Sequence, residues 1–233
     1  ELLSLLPDYG VTGVICNAVD LISAEVIKDY AEEYPYIYYT AGFHPENLTD
    51  VPDDYKESIA RFLSHEKCVA IGEIGLDYHW DIPKDLQLRM FEEQLKLSKE
   101  LDVPVVVHDR EAHGDTMELL RKYKPKGLMH CFSGSVELMR EVIKLGMSIS
   151  LGGVVTFKNA RRSVDCAREV PIDRLILETD APYMSPVPFR GKRNDSRNIV
   201  YVAEKIAEVR GMDAQEILNI TSENTIKLFN IGG

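Results

Sequence analysis

Cysteine is scarce in this chain and forms no paired motif. Cys16, Cys68, Cys131 and Cys166 are scattered over 233 residues without a Cys-x-x-Cys unit. That excludes a disulfide-stapled miniprotein and makes free thiols in a reducing compartment the simpler reading. No apolar run approaches the roughly 18 to 20 residues that span a bilayer, and the opening residues do not read as a secretory leader. A cytoplasmic protein with no membrane partner is expected. Positive charge is also short: 27 Lys+Arg stand against 38 Asp+Glu, a formal net charge of −11. A surface that holds nucleic acid everywhere is excluded, because phosphate binding needs cations. A polyanion would have to meet a local basic patch. Helix-turn-helix patterns and basic stretches interleaved with aromatics are missing as well, so sequence-specific DNA recognition is not expected. No obligate protein partner is evident. Linkers, low-complexity tracts and charge blocks are absent too, and residues 1–233 read as one domain.

What is present is an ordinary globular composition, 45% hydrophobic and 28% charged, at a length able to bury a substantial core. Seven short apolar runs punctuate the chain: 13–16, 36–40, 68–71, 103–107, 127–129, 147–151 and 174–177. They are rich in β-branched residues and lack polar alternation, as strands covered on both faces require. Amphipathic stretches lie between them. Leu88, Phe91, Leu95 and Leu101 mark one stripe, in a segment starting near Lys84. Val136, Met139, Val142 and Ile143 mark a second, stopped by Gly146. Ile199, Val202, Ile206 and Val209 make a third that ends near Gly211, and Asp213 with Glu216 suits the N-terminal cap of a last helix.

Strands alternating with helices imply βα units and a parallel sheet. A doubly wound sheet would show a Gly-rich phosphate turn after its first strand, and Asn17-Ala18-Val19-Asp20 is not one. A (β/α)8 TIM barrel needs eight strands and about 250 residues. Residues 1–6 read as helix interior, so the expectation is a (β/α)8 barrel whose first strand lies upstream of Glu1.

Barrel active sites are built at the C-terminal strand ends. Here those ends read Gly42-Phe43-His44-Pro45, Gly72-Glu73-Ile74-Gly75-Leu76-Asp77, His108-Asp109-Arg110, His130-Cys131-Phe132-Ser133 and Glu178-Thr179-Asp180. Five coincident ends carrying His, Glu or Asp point to a hard or borderline divalent metal. His65 reads as a surface residue, and His79 and His113 as loop residues bordering the site.

These motifs, with Arg190-Gly191-Lys192-Arg193-Asn194 and Leu177-Glu178-Thr179-Asp180-Ala181-Pro182-Tyr183, resemble the TatD-type metal-dependent deoxyribonucleases of the amidohydrolase-like barrels. The resemblance covers nearly the whole chain. It implies two divalent metal ions (zinc, manganese or magnesium), with Glu73 bridging them and His108 and His130 completing one. Asp180 would serve the other and orient or deprotonate the attacking water, and His44 would lie near the scissile group. The family's opening His-x-His strand is missing here, in agreement with the inferred upstream strand.

DNA is the substrate the resemblance implies, and Lys158, Arg161 and Arg162 with Arg190, Lys192 and Arg193, joined by Arg110, are the candidate phosphate-guiding cations. Tyr78, Trp80, Phe132, Tyr183 and Phe189 are candidate platforms for unpaired bases. Two other readings stay open: hydrolysis of a small amide, lactone or phosphoester, and a metal-binding barrel without catalysis.

Overall fold

Each of the seven apolar runs forms a strand: β1 Val14–Cys16, β2 Ile37–Ala41, β3 Cys68–Asp77, β4 Val105–Arg110, β5 Gly127–Met129, β6 Ser148–Leu151 and β7 Leu175–Leu177. The structure, a computed structural model, describes residues 2–232. The strands follow chain order in one sheet, and β1–β2, β2–β3, β3–β4 and β6–β7 pair in parallel. The α-helices between and around them are α1 Leu2–Leu5, α2 Leu21–Glu33, α3 Tyr55–Leu63, α4 Lys84–Leu101, α5 His113–Tyr123, α6 Val136–Lys144, α7 Arg161–Glu169, α8 Ile199–Arg210 and α9 Ala214–Phe229. Among the described residues no helix is long and apolar enough to cross a membrane.

The chain divides into two compact units. One holds Thr12–Leu128 with the residues up to Ser4, and the other holds Leu5–Val11 and the residues from Met129 onward. In the first, Ile37, Tyr39 and Ala41 of β2 pack with Ala24 and Ala31 of α2, Phe62 of α3 and Cys68. Burying a side chain the size of Ile or Phe stabilises by roughly 1.5–3 kcal/mol. The entry to α2 is a capping box: Asp20 Oδ1 accepts from the Ser23 amide at 2.7 Å, and Ser23 Oγ accepts from the Asp20 amide at 3.0 Å.

Helix α4 departs from the expected stripe. Phe91 and Leu95 are buried, but Leu101 is 40% exposed, and the core-facing side also carries Gln87, Met90, Gln94, Leu97 and Ser98. Two glutamines on a buried face break the hydrophobic period, which is why the apolar pattern alone drew the wrong stripe. Both amides hydrogen-bond to backbone through oxygen and nitrogen alike, as burial requires.

In the second unit the expected helices form where the stripes placed them. Met139 and Val142 of α6 are buried, and Gly146 follows the helix at φ +87°. Val202 and Ile206 of α8 are buried, with Gly211 as its left-handed cap. Asp213 caps α9 by accepting from the Gln215 and Glu216 amides at 2.8 and 3.3 Å. Asn224 Nδ2 then ties α9 to the approach of β7 through the carbonyls of Ile172 and Leu175, at 2.7 and 2.8 Å.

A candidate metal centre

Strand β3 carries its chemistry within the strand rather than after it, because Gly72 and Gly75 let it lie tight on β4. A Cβ on Gly75, which sits at φ +147°, would stand 2.0 Å from the His108 carbonyl oxygen. The Gly75–His108 register follows from that close approach, after a register shift between Ile71 and Ile74. Glu73, between the two glycines, is thereby set beside the His108 imidazole.

Three side chains converge there. Glu73 Oε1 lies 2.9 Å from His108 Nδ1 and 3.3 Å from His44 Nε2. The two imidazole rings meet edge-on, 4.5 Å between centroids. One donor atom from each of His44, Glu73 and His108 falls within 4.8 Å of the others. Two imidazole nitrogens and a carboxylate oxygen are a donor set that suits a divalent ion of the zinc or manganese kind. His44 Nδ1 accepts from the Glu46 amide at 3.2 Å. The proton of a neutral His44 therefore belongs on Nε2, which donates to Glu73.

Behind the cluster stand Asp77, which the motifs include without a role, and Gln87 and Gln94, which the motif reading passed over. Asp77 Oδ2 lies 3.0 Å from His108 Nε2, and its Oδ1 accepts from the His79 amide at 3.0 Å. Burial would raise the Asp77 carboxyl. The hydrogen bonds from His108 and the His79 amide, with the charges of His108 and Arg110, outweigh that and hold it below its ordinary value. Gln87 accepts from the Asp77 amide at 2.8 Å and donates to the Asp77 carbonyl at 2.9 Å. Gln94 does the same for Phe43, the residue before His44, at 2.8 and 3.1 Å. The available signal was the pair of glutamines seven positions apart, two turns on one helix face.

The second unit holds His130 and Asp180. His130 Nδ1 is 3.5 Å from Glu178 Oε2. That oxygen also accepts from the Cys131 amide at 3.0 Å and from the Ser150 hydroxyl. Burial would raise Glu178, but the charge and hydrogen bond of His130, with those of Ser150 and Cys131, lower it. Asp180 has a left-handed backbone at φ +52°, and its carbonyl accepts from the Tyr183 amide at 2.8 Å. Buried Asn194 clamps this loop, donating through Nδ2 to the carbonyls of Thr179 and Tyr183, each at 2.7 Å. Of the four expected ligands, then, Glu73 and His108 are in direct contact. His130 and Asp180 belong to the second unit with neighbours of their own.

The expected cations are exposed. Residues 151–164 and 181–193 contain no Asp or Glu but include Lys158, Arg161, Arg162, Arg190, Lys192 and Arg193. The two segments meet: the Val187 amide donates to Thr156 Oγ1 at 2.9 Å, and the Arg190 guanidinium lies 3.9 Å over the Phe157 ring. Arg110, in the first unit, has its Nη1 4.0 Å from Asp77 Oδ2.

Several peripheral expectations change. His113 is the first residue of α5 rather than a loop residue, and its Nδ1 lies 2.5 Å from Asp109 Oδ2. His65 is partly covered, with its ring 5.7 Å from that of Tyr39. Phe132 is buried and Phe189 packs on Tyr201, so neither is an open platform. Tyr78 donates to Asp115 at 2.5 Å, whereas Trp80 and Tyr183 are exposed.

Known proteins resemble this chain over most of its length. The family model described as TatD related DNase matches residues 3–230. The chain is 46% identical over 204 residues to the uncharacterized metal-dependent hydrolase YabD of Bacillus subtilis (strain 168), covering 86% of this chain and 80% of YabD. It is 39% identical over 209 residues to YcfH of Escherichia coli (strain K12), another uncharacterized metal-dependent hydrolase, covering 88% and 78%. The crystal structure of YjjV, the TatD homolog from Escherichia coli K12, superposes with a TM-score of 0.92 at 33% identity, over 98% of this chain and 90% of that one. The α/β (β/α)8 barrel read from the sequence is thus the fold, with seven of its strands among the described residues. The chain belongs to the TatD-related family and is a metal-dependent hydrolase.

Proposed function

We propose that this hydrolase cleaves phosphodiester bonds of DNA without sequence specificity. The observation that carries the choice of substrate is the meeting of two segments that contain no Asp or Glu, residues 151–164 and 181–193, which hold six exposed cations on a chain of net charge −11. Cations so placed neutralise phosphates irrespective of base identity.

The donor set of His44, Glu73 and His108 fits a divalent ion, and the family resemblance assigns ligand roles to His130 and Asp180 as well, for two metals in all. Zinc, manganese or magnesium would supply Lewis acidity and lower the pKa of a bound water. Glu73 contributes the negative charge that offsets cations, and its contacts align both imidazoles. His44, its Nδ1 committed to the Glu46 amide, has only Nε2 to offer: as a lone pair it would join the donor set of the ion, and as an N–H it would hold a phosphoryl oxygen near the scissile group. Asp180 is the proposed base toward the attacking water, and Arg110, Lys158, Arg190, Lys192 and Arg193 guide the phosphates. Four scattered cysteines without a Cys-x-x-Cys unit fit a cytoplasmic location.

The test is metal-dependent cleavage of DNA by the full chain, beside a small neutral ester or lactone. Glu73→Ala and Asp180→Ala should each abolish DNA cleavage while leaving the circular dichroism spectrum unchanged. Full activity in either folded variant, or turnover of the small substrate alone, rejects the assignment.

A further inference from the structure

We propose that Asp77 is a positioning residue for the metal centre: it holds the Nε2–H of His108, so that Nδ1 is the nitrogen His108 offers to a cation. This inference rests on the metal dependence of the site and not on DNA as its substrate.

His108 stands between two carboxylates, with Nδ1 2.9 Å from Glu73 Oε1 and Nε2 3.0 Å from Asp77 Oδ2. The two acids differ in how they are held. Glu73 Oε1 also meets His44 Nε2, and Glu73 belongs to the set of donors that converge within 4.8 Å. Asp77 is outside that set, 1% exposed, and tied down on every side. Its Oδ1 accepts from the His79 amide, and its own amide and carbonyl are both taken by the side chain of Gln87, itself 0% exposed. An acid so fixed does not follow the imidazole; it sets where the imidazole points.

A neutral imidazole carries one N–H and one lone pair, and only the lone pair binds a metal. With Asp77 accepting at Nε2, the lone pair is left on Nδ1, the edge that faces Glu73. A cation held by His108 would meet that lone pair, beside Glu73 Oε1. A carboxylate behind a ligating imidazole also raises its basicity, and losing such a partner typically weakens metal affinity 10- to 100-fold. Gln87 acts one step further back, through the backbone of Asp77.

The deciding measurement is a long-range 15N–1H spectrum of the imidazoles of the full chain, recorded with and without zinc. We expect Nδ1 of His108 to shift on zinc addition while Nε2 keeps its proton. In parallel, Asp77→Asn should weaken zinc binding by about 10- to 100-fold in a chelator competition, with Gln87→Leu giving a smaller loss. Zinc ligation through Nε2 of His108, or unchanged zinc affinity in folded Asp77→Asn, overturns the inference alone. A wild-type protein that takes up neither zinc, manganese nor magnesium overturns the metal reading together with it. If Asp77→Asn does not fold, the wild-type spectrum still decides.

Discussion

Gln94 closes a ring with Phe43 across 51 positions of sequence: its Oε1 accepts from the Phe43 amide at 2.8 Å and its Nε2 donates to the Phe43 carbonyl at 3.1 Å. Phe43 immediately precedes His44, so a helix side chain determines where that imidazole begins. Gln94→Leu leaves both backbone groups unpaired in the core, at about 1–3 kcal/mol each. We expect a loss of about 2–4 kcal/mol in urea unfolding, with weakened hydrolysis because His44 loses its mooring. Unchanged stability would show that the amide carries no such role.

Gly75 and Gly146 separate two meanings of a positive φ. Gly146, at φ +87°, has no atom within 4 Å of a built Cβ, whereas a Cβ on Gly75 would lie 2.0 Å from the His108 carbonyl oxygen. Gly146→Ala should cost about 1 kcal/mol, the strain of the backbone alone. Gly75→Ala should cost on the order of 3 kcal/mol or more, since β3 must leave β4. Thermal unfolding of the two variants tests the contrast, and equal shifts would contradict it.

Reversing charge at Arg190, Lys192 and Arg193 should weaken DNA binding and cleavage. The slope of log affinity against log salt should shrink by as much as about 2–3 units, since each lost phosphate contact removes about 0.7–0.9. Turnover of a small neutral substrate should not change. A variant whose salt slope equals that of the wild type would remove these residues from the phosphate path.

Glu92 gives a pH dependence of stability. The hydrogen bond from Lys122, then that from Tyr123, hold its carboxyl at about 2. The folded value lies below the unfolded one, near 4.3. The contribution is therefore complete above the unfolded value and is lost as pH falls through about 2. At a solvent-facing position it amounts to less than about 1 kcal/mol. Glu92→Gln should be slightly less stable than wild type at pH 7, and the two should converge near pH 2. A gap that persists in acid would assign the effect to packing instead.

How much was legible beforehand divides along one line. Apolar runs and helical periods placed all seven strands and three helix ends, with Gly146, Gly211 and Asp213 performing as read. Those signals are local: steric limits on φ and ψ, the period of the backbone and the capping of nearby amides act within a few residues. Glu73, His108, His130 and Asp180 could be singled out because their types and motifs are themselves informative. The hydrophobic pattern of α4 misled, since a buried glutamine looks polar in a sequence and becomes core-compatible only once its amide meets a backbone.

The sequence by itself determined the alternation of strands and helices, the supply of His, Glu and Asp in β3, β4 and the residues after β2, β5 and β7, and two basic segments free of acids. Only the tertiary structure decided which groups meet. Asp77 reaches His108 across 31 positions, Glu73 reaches it across 35, and Glu178 approaches His130 from 48 residues on. Hydrogen bonds and ion pairs depend on distance and burial, and neither is a property of spacing along the chain.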